Sequence, residues 1–254
     1  ISNNSDSPET FALMEELRTR DSRVTFLEHN TPFNFSSLIN LGVTNASGSQ
    51  IVSLNNDVEI ISWDWLDAFL SQSQRDDVGV VGGKLYFPDN TIQHAGIILG
   101  INGYAGHSHK GRNCMDDGYF QRASLIQNIS AVTGAFMMFS REVFEKVDGF
   151  DETFPIACND VDFGLRAREL GYVNIFTPYA KAYHHESATR GYEDTLEKQV
   201  RFDADVKRLR HRHPGIFQTG DPYYNVNLSL HSEQFELRDG QQRFYKRSEN
   251  NGPG

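Results

Sequence analysis

Three stretches of the chain hold residue types that could do chemistry together. Asn55-Asn56-Asp57 sets a carboxylate and two amides at the end of the apolar run QIVSL. A carboxylate there suits a hard divalent cation, Mg²⁺ or Mn²⁺, that fills its shell with phosphate oxygens. The competing reading is a plain turn, because Asn and Asp favour turns. The second stretch, ACNDVDFGLRARELGY, sets Asp160 and Asp162 at the start of a helix. The helix dipole favours carboxylates there whether or not they act. An acting carboxylate could take the proton of a hydroxyl that attacks an electrophilic carbon. The third stretch, YAKAYHHESATRG, puts His184 and His185 at a strand end, followed by Arg190 and Gly191. That order reads as a ligand followed by a phosphate-reaching loop, and histidine shares a borderline ion such as Mn²⁺ with aspartate.

Other signals are weaker. His107-x-His109-Lys110 could touch an anion or belong to a solvated loop. His211-x-His213 reads as a solvated basic helix end, and Gly82-Gly83 as a close packing point. The sequence contains no Walker loop, HExxH, GxSxG or dinucleotide fingerprint.

These residues need elements to position them. Ser7 before Pro8 predicts a helix over 8–20 with Phe11, Met14 and Leu17 at helical spacing. RVTFL (23–27) and QIVSL (50–54) read as strands, and 35–46 as a helix. Ser62 can cap a helix that carries Trp65, Leu66, Phe69 and Leu70. The runs 78–87 and 91–99 read as strands joined by the turn Pro88-Asp89-Asn90. Residues 100–128 read as a long loop and 131–139 as a strand. Ser140 is the predicted cap of a helix over 141–147. A helix over 160–170 ends at Gly171. The runs 172–176 and 180–185 read as two late strands. A helix over 193–211 is expected to turn Leu196, Val200, Val206 and Leu209 inward. The alternation implies an α/β fold with a mainly parallel sheet and helices on both faces. Ligands then bind at the carboxyl ends of the strands, where Asp57 lies.

Composition narrows the function. The 254 residues carry 24 Lys+Arg against 34 Asp+Glu, a net charge of −10. Such a chain does not hold nucleic acid by charge alone. To bind an anionic ligand it needs an offsetting charge, for which a metal ion is the natural candidate. No apolar run is long enough to cross a membrane as a helix. Cys114 and Cys158 make no framework pattern, which points to a reducing compartment.

Taken together, the stretches NNSDSPET, FNFSSLINLG, VSLNNDVEI, VGVVGGKLYFPDNTIQHAGIILG, AVTGAFMMFSREVFEKVDGFDETF, NDVDFGLRARELGY, YHHESATRG and DPYYNVNLSL resemble the family 2 inverting glycosyltransferases of the GT-A fold. The look is that of their bacterial O-antigen, rhamnosyltransferase-like branch. The resemblance implies one catalytic domain over 1–238 and a polar, disordered tail over 239–254. It implies transfer of a sugar from a nucleoside-diphosphate sugar, with Mn²⁺ or Mg²⁺, to a glycan or lipid-linked glycan. It also implies a cytoplasmic site, peripheral at the inner membrane face. Asp160 matches the family's catalytic base. Asp57 matches the metal position of its DxD-type motif, and His184 matches a late metal histidine, with His185 as fallback. Ser2, Asn3 and Asn34 fall where relatives contact the nucleoside, and Asn56 and Arg190 fall on the donor side. Gly134, Ala135, Asp162 and His185 fall on the acceptor side. Asn55, Asn56, Ser2 and Asn159 replace the family's usual carboxylates at those positions. The family's opening strand precedes ISNNSD, so the chain is expected to be an N-terminal truncation that folds poorly and turns over little donor. Two other readings compete: a non-catalytic sugar- or nucleotide-binding module, and a nucleotide-sugar hydrolase or nucleotidyltransferase on a similar sheet.

Overall fold

The structure, a computed structural model, describes residues 1–185 and 195–238. Arg190 and the tail 239–254 lie outside the described residues.

Side-chain caps start several of the helices. Ser7 accepts from the Thr10 N–H to begin α1 (Pro8–Arg20), with Pro8 at its first turn. Asn34 accepts from the Ser37 N–H to begin α2 (Phe35–Asn45). Strand β1 (Gln50–Leu54) runs into the Asn55–Asp57 turn and then β2 (Val58–Ile60). Helix α3 (Trp65–Ser73) has Asp64 at its cap position with no side-chain bond. Ser62, the predicted cap, instead accepts from the Lys181 N–H at 2.8 Å. β3 (Val78–Tyr86) is buried along its whole length.

The run 91–99 is two strands, β4 (Ile92–His94) and β5 (Ile97–Leu99), because Gly96 between them takes φ +99° and redirects the chain. Residues 100–128 are more ordered than a loop: β6 (Ala105–His107) pairs with β5, and β7 (Gln127–Ile129) joins the main sheet. β8 (Phe136–Ser140) begins later than predicted, and Ser140 caps α4 (Arg141–Lys146). α5 (Asn159–Glu169) is followed by Gly171 at φ +95°. The two late strands are one, β9 (Val173–His184).

Two helices, α6 (Leu196–Arg212) and α7 (Pro214–Thr219), complete the described chain. Leu209 is buried in α6, but Leu196 is 77% and Val200 61% exposed, so the predicted inward face holds only at the helix's later turns. RVTFL forms no strand; Leu27 accepts from the Ser2 N–H, and Ser2 and Glu28 make a single parallel bridge.

The main sheet has the order β1-β8-β3-β9-β2, with β4 beside β3 and β7 beside β9. β3 and β9 are parallel, whereas the other pairings are antiparallel. The expectation of a mostly parallel sheet is therefore corrected to a mixed one. β1 and β3 do run the same way, joined through α3 as a βαβ unit requires. β8 is inserted between them and runs against both.

Alternate residues of β8 feed the two faces of this sheet. Met137 and Phe139 join Phe150, Phe163 and Phe176 in one core cluster, in which the Phe150 and Phe163 rings stack at 4.2 Å. Phe136 and Met138 join Phe69, Val81 and Leu85 in the other. Gly82 is a close packing point, as predicted: a Cβ there would lie 2.4 Å from the Val132 side chain.

Candidate active site

Thr133–Ala135 leads into β8 and ties two sequence-distant elements together. The Asn55 N–H donates to the Ala135 carbonyl at 3.0 Å, and Ser53 Oγ donates to the Gly134 carbonyl at 2.7 Å. The Gly134 N–H in turn donates to Asp160 Oδ2 at 2.9 Å. The end of β1, which carries the Asn55–Asp57 turn, is thereby fastened to the start of α5. A Cβ on Gly134 would stand 3.0 Å from the Phe35 ring and 3.5 Å from Asp160 Cβ, so this contact depends on a glycine.

Asp160 is half-buried, and its Oδ1 accepts from the Val161 N–H at 2.8 Å. Burial raises its pKa above the ordinary carboxylate value, and the N–H groups of Gly134 and Val161 oppose only part of that rise. A raised pKa makes the ionised form a stronger base. The neutral Asn159 spends its Oδ1 on the Asp160 N–H.

Asp162 does not share this position. Two residues along a helix turn a side chain by about 200°. Its carboxylate is fully buried and meets Arg166 at 2.8 Å, Arg212 at 3.0 Å and His213 at 3.0 Å. The acceptor-side assignment of Asp162 is therefore corrected to a structural charge cluster. Burial alone would raise its pKa, but His213, Arg166 and Arg212 outweigh this and hold it low. His213, expected to be solvated, is buried between Asp162 and Glu169. Burial lowers its pKa, and the two carboxylates more than reverse that.

The second half of the site comes from the β2–β9 register. Val58 pairs with His184, and the Asp57 carbonyl accepts from the His185 N–H at 2.9 Å. That register sets Asp57 Oδ1 3.2 Å from His184 Nε2. Asp57 Oδ1 is buried and has no hydrogen-bond partner. An orphaned carboxylate oxygen beside an imidazole nitrogen fits a divalent cation, whose oxygen and nitrogen preferences match this pair. Among the described residues no group of three or more His, Cys, Asp or Glu could hold a metal. The pair would supply only part of a shell, leaving the remainder to phosphate oxygens and water.

The other predicted residues separate. His185 Nε2 lies 3.2 Å from the exposed Glu59 carboxylate, so its ring is engaged at the surface. Asn56 is exposed at the turn. The Asn34 amide accepts from the Ser37 N–H and donates to the Glu152 carbonyl at 2.8 Å, so it serves as a helix cap at the place where a nucleoside contact was expected. Asn3 donates to the carbonyls of His29 and Thr31, and Ser2 is engaged through its backbone. Ala135 is buried against Asn55. His109 is buried and stacked on Phe235, so it is no solvated loop residue. Gln93, whose Oε1 lies 2.8 Å from His184 Nδ1, carries no sequence signal, because a carboxamide inside the run 91–99 looks like any strand residue.

The architecture and the paired site define a class. The structure superposes on GalNAc-T7 solved with UDP, GalNAc and Mn²⁺, at TM-score 0.62 and 11% identity, over 82% of this chain and 40% of that one. It also superposes on the mannosyltransferase PcManGT of Pyrobaculum calidifontis, solved with GDP-Man and Mn²⁺, at TM-score 0.56 and 13% identity, over 83% of this chain and 52% of that one. The fold is the GT-A fold of glycosyltransferases. Residues 1–148 match Glycosyl transferase family 2, and the chain belongs to that family.

Among curated relatives, it is 42% identical over 238 residues to the uncharacterized protein y4gI of Sinorhizobium fredii, covering 93% of this chain and 26% of that protein. It is 38% identical over 250 residues to the O-antigen biosynthesis protein RfbC of Myxococcus xanthus, covering 95% and 19%. A shorter match, 27% identical over 84 residues, is to the N-acetylglucosaminyl-diphospho-decaprenol L-rhamnosyltransferase of Mycobacterium tuberculosis, covering 33% and 27%. The chain thus spans about a quarter or less of the length of these first two relatives.

Proposed function

We propose that this chain transfers a sugar, with inversion, from a nucleoside-diphosphate sugar to a hydroxyl of a glycan or lipid-linked glycan in cell-surface polysaccharide synthesis. The observation that carries the reading is the buried, unpartnered Oδ1 of Asp57 facing His184 Nε2, on a turn that Ser53 and Asn55 fasten to the segment whose Gly134 N–H holds Asp160. Asp160 accepts the proton of the acceptor hydroxyl. The hydroxyl oxygen bonds to the anomeric carbon as the bond from that carbon to the diphosphate breaks, and the electron pair leaves with the diphosphate. Mn²⁺ or Mg²⁺ held by Asp57 and His184 would neutralise the charge that develops on the leaving group.

Gly134 fixes Asp160 through its N–H, and Gly134 and Ala135 border the acceptor. Ser2, Asn3, Asn56 and Arg190 are assigned to the donor side. The names of RfbC and of the decaprenol rhamnosyltransferase support a cell-surface glycan and a lipid-linked acceptor. Such an acceptor would place the reaction at the cytoplasmic membrane face. No described helix is long and apolar enough to cross a membrane.

The test is a panel of nucleoside-diphosphate sugars with Mn²⁺ or Mg²⁺, scored for nucleotide release with and without glycan acceptors. Acceptor-dependent release that Asp160→Asn abolishes supports transfer. Release that needs no acceptor and yields free sugar assigns a hydrolase instead. Donor binding without turnover assigns a binding module.

A further inference from the structure

The geometry points to Gln93 as a positioning residue that fixes His184 in one tautomer, so that its Nε2 lone pair stays free for a cation shared with Asp57. The inference rests on the metal pair of the proposed function.

Gln93 is buried in β4 and grips His184 twice, across 91 residues of sequence. Its amide Nε2 donates to the His184 carbonyl at 3.3 Å, and its Oε1 lies 2.8 Å from His184 Nδ1. The backbone contact sets the orientation of the amide, because a carbonyl can only accept and so must face the NH₂ end. Oε1 is then the atom presented to the ring, and it too can only accept. Nδ1 must therefore carry the proton.

With Nδ1–H committed to Gln93, Nε2 is the ring nitrogen turned to Asp57, and it is the one whose lone pair a cation would take. That nitrogen sits 3.2 Å from Asp57 Oδ1, which is buried and has no hydrogen-bond partner. A carboxylate oxygen and an imidazole nitrogen held this close can be bridged by one cation. Adjacent ligands of an octahedral ion with bonds of about 2.1 Å stand about 3.0 Å apart, close to the spacing found. Outer-shell partners of metal histidines commonly change metal affinity by 10–100-fold.

The test uses the full chain and Mn²⁺ alone, with free ion followed by electron paramagnetic resonance. Gln93→Leu removes the acceptor for Nδ1–H and is expected to weaken Mn²⁺ binding about 10–100-fold. Gln93→Glu keeps an acceptor at that place and is expected to recover most of the affinity. Independently of any variant, nitrogen NMR of the metal-free protein should show His184 carrying a proton at Nδ1. A His184 bare at Nδ1 overturns the inference, as does wild-type Mn²⁺ affinity in Gln93→Leu. Asp57→Asn and His184→Ala separate the two levels. If both abolish Mn²⁺ binding while Gln93→Leu does not, Gln93 alone is misassigned. If neither affects it, or the wild type binds no Mn²⁺, the metal pair falls and takes this inference with it.

Discussion

At the scale of single residues, the cost of ionising Asp160 and its usefulness have one origin. Burial raises its pKa, so the folded protein favours the protonated acid relative to the unfolded chain. Its ionisation therefore costs stability as pH rises through the folded value, while the base form accumulates over that same interval. Asp160→Asn should lower acceptor-dependent transfer by about 10²–10⁴-fold. At neutral pH it should not lower Tm, because the asparagine has no charge to bury. A rate measurement paired with calorimetry checks both halves. In the wild type, transfer should decline as pH falls through the raised value, and a rate flat across that range contradicts the base role. Asp57, Asp160 and His184 stood out in the sequence as carboxylates and an imidazole at strand and helix ends, and the structure brings Asp57 and His184 together. Asn34 and Asp162 misled because the same residue types also cap helices and pair with arginine, and only the three-dimensional neighbours decide between those uses.

The elements position the site through close contacts that tolerate little change. Gly82 lies where β3 passes under Val132, and a Cβ there would sit 2.4 Å from that side chain. Gly82→Ala should destabilise by about 1–3 kcal/mol, as overpacked cores do. Val132→Ala should recover part of that loss in the double variant, measured by denaturant unfolding. Ser53→Ala leaves the Gly134 carbonyl without its buried donor and should cost about 1–3 kcal/mol. It should also slow transfer, because Gly134 holds Asp160; an unchanged rate would remove that link. Helix starts were readable because Ser7 and Ser140 announce them chemically. The sheet's mixed character was not, because the order β1–α3–β3 is the same whether or not β8 later inserts between the two strands.

Across the whole molecule, the start of α5 is braced from the far end of α6. Asp162 gathers Arg166, Arg212 and His213, and Arg212 also reaches Asp151 at 2.5 Å. The pKa of His213 is raised in the fold above its ordinary 6.5. Its contribution to stability is therefore complete below that value and is lost as pH rises through the folded pKa. His213→Gln should lower Tm at pH near 6 and flatten the alkaline decline that the wild type shows, read from melting curves across pH. Neither histidine of His211-x-His213 betrayed this in the sequence, since the carboxylates that bury His213 come from another helix. The cluster also constrains recombination. Asp162 and Arg212 are separated by 50 positions along the chain. Any crossover between relatives that falls within that interval draws the two halves of one charge network from different parents. Chimeras meant to exchange donor or acceptor preference should therefore inherit α5 through His213 as a single block.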